Sequence, residues 1–233
     1  MLPLAVYLLV AIGHLAAQLI APGGVAAGVT QVLLMPALAM VLLASTPLPR
    51  SRLVRLTLLA LAFSWLGDSL PRVLDGDAGF AVMLGCFLVA QLAYAAAFWP
   101  WREDSILRRP VLIVPYLAAA AFLVAWCWSG AGALAPAVVV YALAIVTMAV
   151  LATGIDAVAG AGAVLFLISD ALIALRAFAG FEIPPSGFWV MLTYALGQFL
   201  IVAAVAHRDR ADDEQWEEPE PEPVHARRLR AVD

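Results

Sequence analysis

The chain has no lysine: all 13 of its basic residues are arginine. A catalytic Schiff base and a retinal-type lysine linkage are therefore both excluded. Cysteine is scarce. Cys86 and Cys127 stand far apart in apolar stretches without a CxxC spacing. They read as small buried hydrophobes, with no disulfide framework or metal knuckle. No GxxxxGK[ST] phosphate loop occurs. Charge is scarce too. Charged residues make up 13 % of the chain, against about 25 % in soluble domains. The opening Met1-Leu2-Pro3 carries no basic residue. A cleaved signal peptide is therefore not expected, and the first apolar run should remain as a span.

Apolar residues fill the gap. They make up 64 % of the 233 residues, and the mean hydropathy is +0.96. A soluble fold needs more polar surface than this chain can supply, so lipid must be the solvent for most of it. The fold class expected is an all-α membrane protein. About 20 apolar residues make a span, and eight runs qualify, at roughly 2–20, 29–45, 53–72, 79–99, 110–128, 133–152, 158–178 and 187–206. Breakers such as Pro22-Gly23-Gly24, Pro47, Pro49, Gly154 and Pro184-Pro185 separate them. Pro36 and Pro115 are expected to kink spans 2 and 5.

Two units follow: a transmembrane domain over 1–206 and a charged tail over 207–233. The Asp212-Asp213-Glu214 run and the Glu/Pro alternation to Pro223 cannot bury a core, so the tail is expected to be disordered. The net charge of −4 is localised there, and no nucleic-acid partner is expected. Arg50, Arg52 and Arg55 follow span 2, Arg102, Arg108 and Arg109 follow span 4, and Arg208 and Arg210 follow span 8. The opposite ends carry only Arg72 and Arg176. The positive-inside rule then puts both termini in the cytoplasm. The chain also reads as two parallel repeats of four spans, because Gly67-Asp68-Ser69-Leu70 and Ser169-Asp170-Ala171-Leu172 fall in spans 3 and 7.

Asp68 and Asp170 are the only acids inside the spans. Each costs about 2.5–3.5 kcal/mol to insert at a helix centre. Counted along their helices they lie roughly 22 Å and 18 Å from the cytoplasmic ends, in the outward half. His14, Gln18, Gln31, Tyr194 and Gln198 reach a similar level, with Gln91 and Tyr94 deeper. A polar cavity is expected there, with Arg72, Gln31, Gln91, Tyr94, Tyr194, Gln198 and His14 as substrate-binding residues. Two carboxyl groups sharing an apolar site tend to divide roles, one donating a proton and the other accepting it. Arg72, four residues after Asp68, is expected on the same helix face. It can pair with that carboxylate, bind a lipid phosphate or extend to the interface. The plainer alternative is that each aspartate bonds its neighbours and only locks helix packing. His14 is the only histidine within a span, and no histidine is tied to Ser64 or Ser69. A zinc site and a serine triad therefore lack parts, and no cofactor or metal is expected.

Four segments resemble the YhhN family of membrane lysoplasmalogenases. They are Thr30-Gln31-Val32-Leu33-Leu34-Met35-Pro36, Phe63-Ser64-Trp65-Leu66-Gly67-Asp68, Gly162 to Asp170 (GAVLFLISD), and Tyr194-Ala195-Leu196-Gly197-Gln198. The resemblance spans runs 2 to 8 and implies an eight-span integral membrane hydrolase. It implies cleavage of the vinyl ether of lysoplasmalogens to a fatty aldehyde and a glycerophospho-base. It also implies that the family's paired aspartates fall on Asp68 and Asp170. Gln31 stands where the family commonly has lysine, and Gln91 stands near Tyr94 where it often has histidine. Protonating the β-carbon of a vinyl ether leaves an oxocarbenium ion. One carboxylic acid can supply that proton, and a second carboxylate can steady the cation and activate water. Which aspartate takes which part is open at this level. A second reading is a non-catalytic lipid-handling or proton-coupled transport protein. Abundant alanine without lysine suggests a high-GC bacterial source, and with it the cytoplasmic membrane.

Overall fold

A computed structural model describes residues 1–74 and 76–217. Among them the chain is helical throughout, without a strand. The α-helices are α1 (Leu2–Ile20), α2 (Val25–Ser45), α3 (Arg52–Ser69), α4 (Gly76–Phe98), α5 (Val114–Ala131), α6 (Ala135–Ala152), α7 (Ala157–Ala179) and α8 (Ser186–Glu217). Seven helical stretches among the described residues are long and apolar enough to cross a membrane, and the chain is a multi-pass membrane protein. One of these stretches, Pro110–Ala152, is 43 residues long. It contains both α5 and α6, which are separated by a 3-10 turn at Gly132–Leu134 and pack on each other. Gly132 takes a positive φ of 49° at that turn, a conformation that costs glycine little.

Local chemistry sets the ends. Ser51 accepts from Val54 N at 3.2 Å and starts α3, and Asp156 accepts from Ala159 N at 2.7 Å and starts α7. Gly180, at φ 63°, stops α7 in the left-handed conformation. Pro36 lies inside α2 without ending it. Pro115 departs from expectation. It occupies the first turn of α5, where no backbone N–H is needed, and so it opens the helix instead of kinking it.

The core runs along the bundle axis, through Leu34, Leu38, Leu61, Tyr94, Phe166, Ile201 and their neighbours. Lipid-facing apolar residues such as Leu9, Ile12, Trp128 and Leu143 stay on the outside. Two helix pairs approach closely over glycine. A Cβ on Gly67 of α3 would lie 2.8 Å from the Phe87 ring of α4. On α7 and α8, a Cβ on Gly162 would lie 2.7 Å from Gly197 O, and one on Gly197 would lie 2.7 Å from Gly162 O. Small residues at such crossings let backbones meet where no hydrophobic force separates helix from lipid. The two pairs, α3 with α4 and α7 with α8, are those the repeat sets in correspondence.

The arginine-bearing connections meet at one end of the bundle. Arg210 donates to Ser45 O at 2.8 Å, and Arg208 lies over the Trp101 ring at 5.2 Å. Ile106 N donates to Thr153 Oγ1 at 3.1 Å. The last helix also runs on past residue 206. Helix α8 continues to Glu217, supported by the Arg208–Asp212 pair one turn apart at 3.2 Å and by the buried Asp209. The Glu/Pro alternation and Arg227, Arg228 and Arg230 lie outside the described residues.

Candidate functional site

Asp68 is the penultimate residue of α3, and Asp170 lies past the middle of α7. The two helices bring both aspartates to the wall of one cavity of about 200 Å³. Gln31, Arg72, Phe87, Ser169 and Tyr194 also line it. Asp68 is buried, at 7 % exposure, and both of its oxygens are occupied. Gln31 Nε2 donates to Oδ1 at 3.0 Å, and the Tyr194 hydroxyl donates to Oδ2 at 2.8 Å. Asp170 accepts from the Tyr141 hydroxyl on Oδ2 at 2.5 Å.

Asp68 is thus held from two sides and Asp170 from one. Asp68 on α3 meets α2 through Gln31 and α8 through Tyr194. Asp170 on α7 meets α6 through Tyr141, with Gln91 of α4 beside that pair. The phenols are held in turn by ring packing. Tyr194 meets Phe87 and Phe166 edge-on, at 5.8 and 5.5 Å between centroids. Ser169 donates to Val190 O at 3.1 Å and ties α7 to α8 at the cavity wall.

Arg72 reaches the cavity by a different route from the one expected. Helix α3 ends at Ser69, and Leu70–Arg72 form a 3-10 turn, so the four-residue spacing does not stack Arg72 over Asp68. Arg72 Nη2 instead donates to Gln31 Oε1 at 2.5 Å, and Gln31 carries the contact on to Asp68. The guanidinium itself is exposed at the cavity rim. It passes close to Gly28, where a Cβ would meet Nη1 at 3.0 Å. A second hollow of about 390 Å³ continues outward from the cavity. The two share Met83, Ile173, Val190 and Met191, and Gln18 and Arg176 stand at the far side.

Four expected site residues are not on the wall of the aspartate cavity. The Tyr94 hydroxyl donates to Gln198 Oε1 at 2.5 Å, and Gln198 Nε2 donates to Ser64 Oγ at 3.1 Å. This buried chain ties α4, α8 and α3 together away from the cavity wall. His14 is buried between α1 and α2. Its Nδ1 lies 2.9 Å from Thr30 Oγ1. Thr30 spends its own proton on Ala26 O at 2.6 Å, so Nδ1 is the donor in that pair. Nε2 is left facing the Gln18 amide at 3.4 Å. Gln91 is fully buried, and neither of its amide atoms makes a hydrogen bond.

Tyr141 is the site residue that sequence reading passed over. Its signal was available, because it is the one hydroxyl-bearing aromatic in α6. It is also the seventh residue of α6, as Gln31 is of α2. In the repeat frame the two correspond, and each donates to the aspartate of the following helix.

The sequence profile of the YhhN family matches residues 27–205. The chain belongs to the YhhN family. The match begins in α2 and ends in α8, so it contains both aspartates, Gln31, Arg72, Tyr141 and Tyr194 of this YhhN protein. Helix α1, with His14, precedes it. No curated protein and no solved structure matches the chain.

Proposed function

We propose that this YhhN protein is a membrane-embedded hydrolase of the lysoplasmalogenase kind. It cleaves the vinyl ether bond of a lysoplasmalogen to a fatty aldehyde and a glycerophospho-base. The observation that carries this reading is that Asp68 and Asp170, from separate helices, open into one cavity with an arginine at its rim. Aspartates that only locked helix packing would not need a shared hollow beside them.

Asp68 and Asp170 are the catalytic pair. One carboxylic acid protonates the β-carbon of the vinyl ether. The other carboxylate steadies the oxocarbenium ion and takes a proton from the water that attacks it. The hemiacetal then collapses to aldehyde and alcohol, and the reverse proton transfers reset both carboxyl groups. Gln31 and Tyr194 hold Asp68 in place, and Tyr141 holds Asp170. Arg72 meets the lipid phosphate at the rim, where a fork of N–H donors suits phosphate oxygens. The family's usual lysine in α2 is Gln31 here. Through its bond from Arg72, Gln31 presents a cation's field to the same place.

On this reading the chain makes eight crossings in the cytoplasmic membrane with both termini in the cytoplasm. Two features support it. Helices α5 and α6, each 18 residues and so about 27 Å long, pack on each other across a glycine turn. The arginine-bearing connections also gather at one end of the bundle.

The test is to incubate the purified protein with lysoplasmenyl lipid and with ordinary lysophospholipid, and to assay free aldehyde. Release from the vinyl ether lipid alone, lost in Asp68→Asn and Asp170→Asn, is expected. Saturable lipid binding without aldehyde would instead favour a lipid-handling protein.

A further inference from the structure

The cavity holding the two aspartates does not end at Asp170. A hollow of about 50 Å³ adjoins it as a neck, walled by Phe80, Met83, Phe87, Tyr141 and Asp170. Past the neck lies a slot of about 240 Å³ between α5, α6 and α7. Phe122, Trp126, Ala142, Leu167 and Ala171 line the slot, and Tyr141 and Asp170 are its polar residues. Successive hollows share walls. The neck shares Met83, Phe87 and Asp170 with the aspartate cavity, and the slot shares Val138, Tyr141 and Asp170 with the neck. The series therefore runs from Arg176 and Gln18 at the outer hollow, past Arg72 and Asp68, past Asp170, and into an apolar slot. Asp68 borders only the aspartate cavity, whereas Asp170 borders that cavity, the neck and the slot.

Resting on the hydrolase reading, we propose that the slot between α5, α6 and α7 takes the hydrocarbon chain of a single-chain ether lipid, which makes Asp170 the proton donor and Asp68 the base. The occupant follows from the order of surfaces. A chain of cation, carboxyl pair and apolar slot matches headgroup, reacting ether and alkyl tail in that sequence. The roles follow from the substrate's own connectivity. In a vinyl ether the β-carbon lies on the tail side and the oxygen-bearing carbon on the headgroup side. The carboxyl group bordering the slot therefore faces the carbon that must be protonated. The carboxyl group on the headgroup side faces the carbon that water attacks. Hydrogen bonding agrees, because both Asp68 oxygens already accept, as a base's carboxylate does.

The Asp170 O–H breaks as the new C–H bond forms at the β-carbon, and the double-bond electrons leave an oxocarbenium ion. Water adds to that ion and gives a proton to Asp68. Asp68 then protonates the leaving glyceryl oxygen as the C–O bond breaks, and the hemiacetal hydroxyl returns its proton to Asp170.

The slot is tested without turnover. The full-length protein in lipid nanodiscs is labelled with a non-hydrolysable lyso-alkyl phospholipid carrying a diazirine near the end of its chain. Labelled peptides within residues 119–126 and 138–146, competed by unlabelled lyso-ether lipid, are expected. Competed labelling around Gln18 and Gly187, or uncompeted labelling spread over all lipid-facing helices, overturns the slot. For turnover, Ala142→Phe is expected to lower aldehyde release from a long-chain lysoplasmenyl lipid by about tenfold or more, as filling an apolar pocket does. A short-chain vinyl ether lipid should be spared and reports that the variant is folded. Equal loss on both, in a protein that melts like the parent, overturns the slot. For the roles, azide is expected to restore turnover to Asp68→Ala, where a small anion can replace the base, and not to Asp170→Ala. The reverse pattern overturns the assignment. A parent protein that releases no aldehyde defeats the hydrolase reading, while the photolabel still reads the slot.

Discussion

Gln31 stands between Arg72 and Asp68, accepting from the guanidinium at 2.5 Å and donating to the carboxylate at 3.0 Å. One neutral side chain from α2 thus transmits a surface cation to a buried acid on α3. Arg72 stays exposed and available to a ligand phosphate, while Asp68 still feels its orientation through a fixed amide.

Breaking that relay separates binding from turnover. Gln31→Ala removes a hydrogen bond to a charged group, which contributes about 1.5–3 kcal/mol. A fall in kcat of about tenfold to a hundredfold is expected. Gln31→Lys replaces the relayed cation by a direct one and is expected to retain activity. Aldehyde release across a substrate series, with kcat and KM resolved, checks both.

The two tyrosines hold the two aspartates and should fail independently. Tyr194→Phe and Tyr141→Phe keep the rings and remove the hydroxyls that reach Asp68 and Asp170. Each is expected to lower kcat by about tenfold or more. Melting temperatures should move little, because the ring contacts of Tyr194 with Phe87 and Phe166 persist. A fall in kcat matched by collapse of the fold would assign the hydroxyls to packing alone.

Gln91 predicts the opposite behaviour. A buried amide with both polar atoms unbonded costs about 1–3 kcal/mol in desolvation. Gln91→Leu is therefore expected to raise stability in detergent, as followed by thermal melting. If aldehyde release also vanished, Gln91 would belong to the reacting groups despite lying off the cavity wall.

Glycine contacts differ in how well they can yield. At Gly67→Ala the new methyl meets the Phe87 ring at 2.8 Å. The ring can swing, so the cost is expected to be modest, about 1–3 kcal/mol. The swing nevertheless pushes Phe87 toward the aspartate cavity and should reduce lipid turnover. Gly162→Ala and Gly197→Ala meet backbone carbonyl oxygen at 2.7 Å, which cannot swing. The larger loss of melting temperature is expected there, with α7 and α8 forced apart.

Much of this protein can be read from composition and spacing. Hydrophobic runs of span length place the helix starts within a few residues, because in lipid a backbone must satisfy its own hydrogen bonds and helices are the local way to do so. The same physics singles out Asp68 and Asp170, since a carboxyl group inside such a run is too costly to be incidental. The absence of lysine likewise decides against Schiff-base chemistry with no structure in hand.

What spacing could not decide is which side chains meet across helices. Helix rotation and crossing are set by interlocking small residues such as Gly162 and Gly197, not by hydropathy. His14 and Gln198 share the depth of the aspartates and Gln91 and Tyr94 lie deeper, yet none of the four lines the aspartate cavity. Tyr141 stands out in α6 as its one hydroxyl-bearing aromatic, but that its hydroxyl meets Asp170 is decided by the packing of α6 on α7. The four-residue step from Asp68 to Arg72 failed as a face rule, because the helix tightens into a 3-10 turn between them. The hollow continuing past Asp170 between α5, α6 and α7 is likewise a property of three packed helices. An alanine such as Ala142 looks the same in sequence whether it borders lipid, core or a slot, and only the packing of its neighbours distinguishes them.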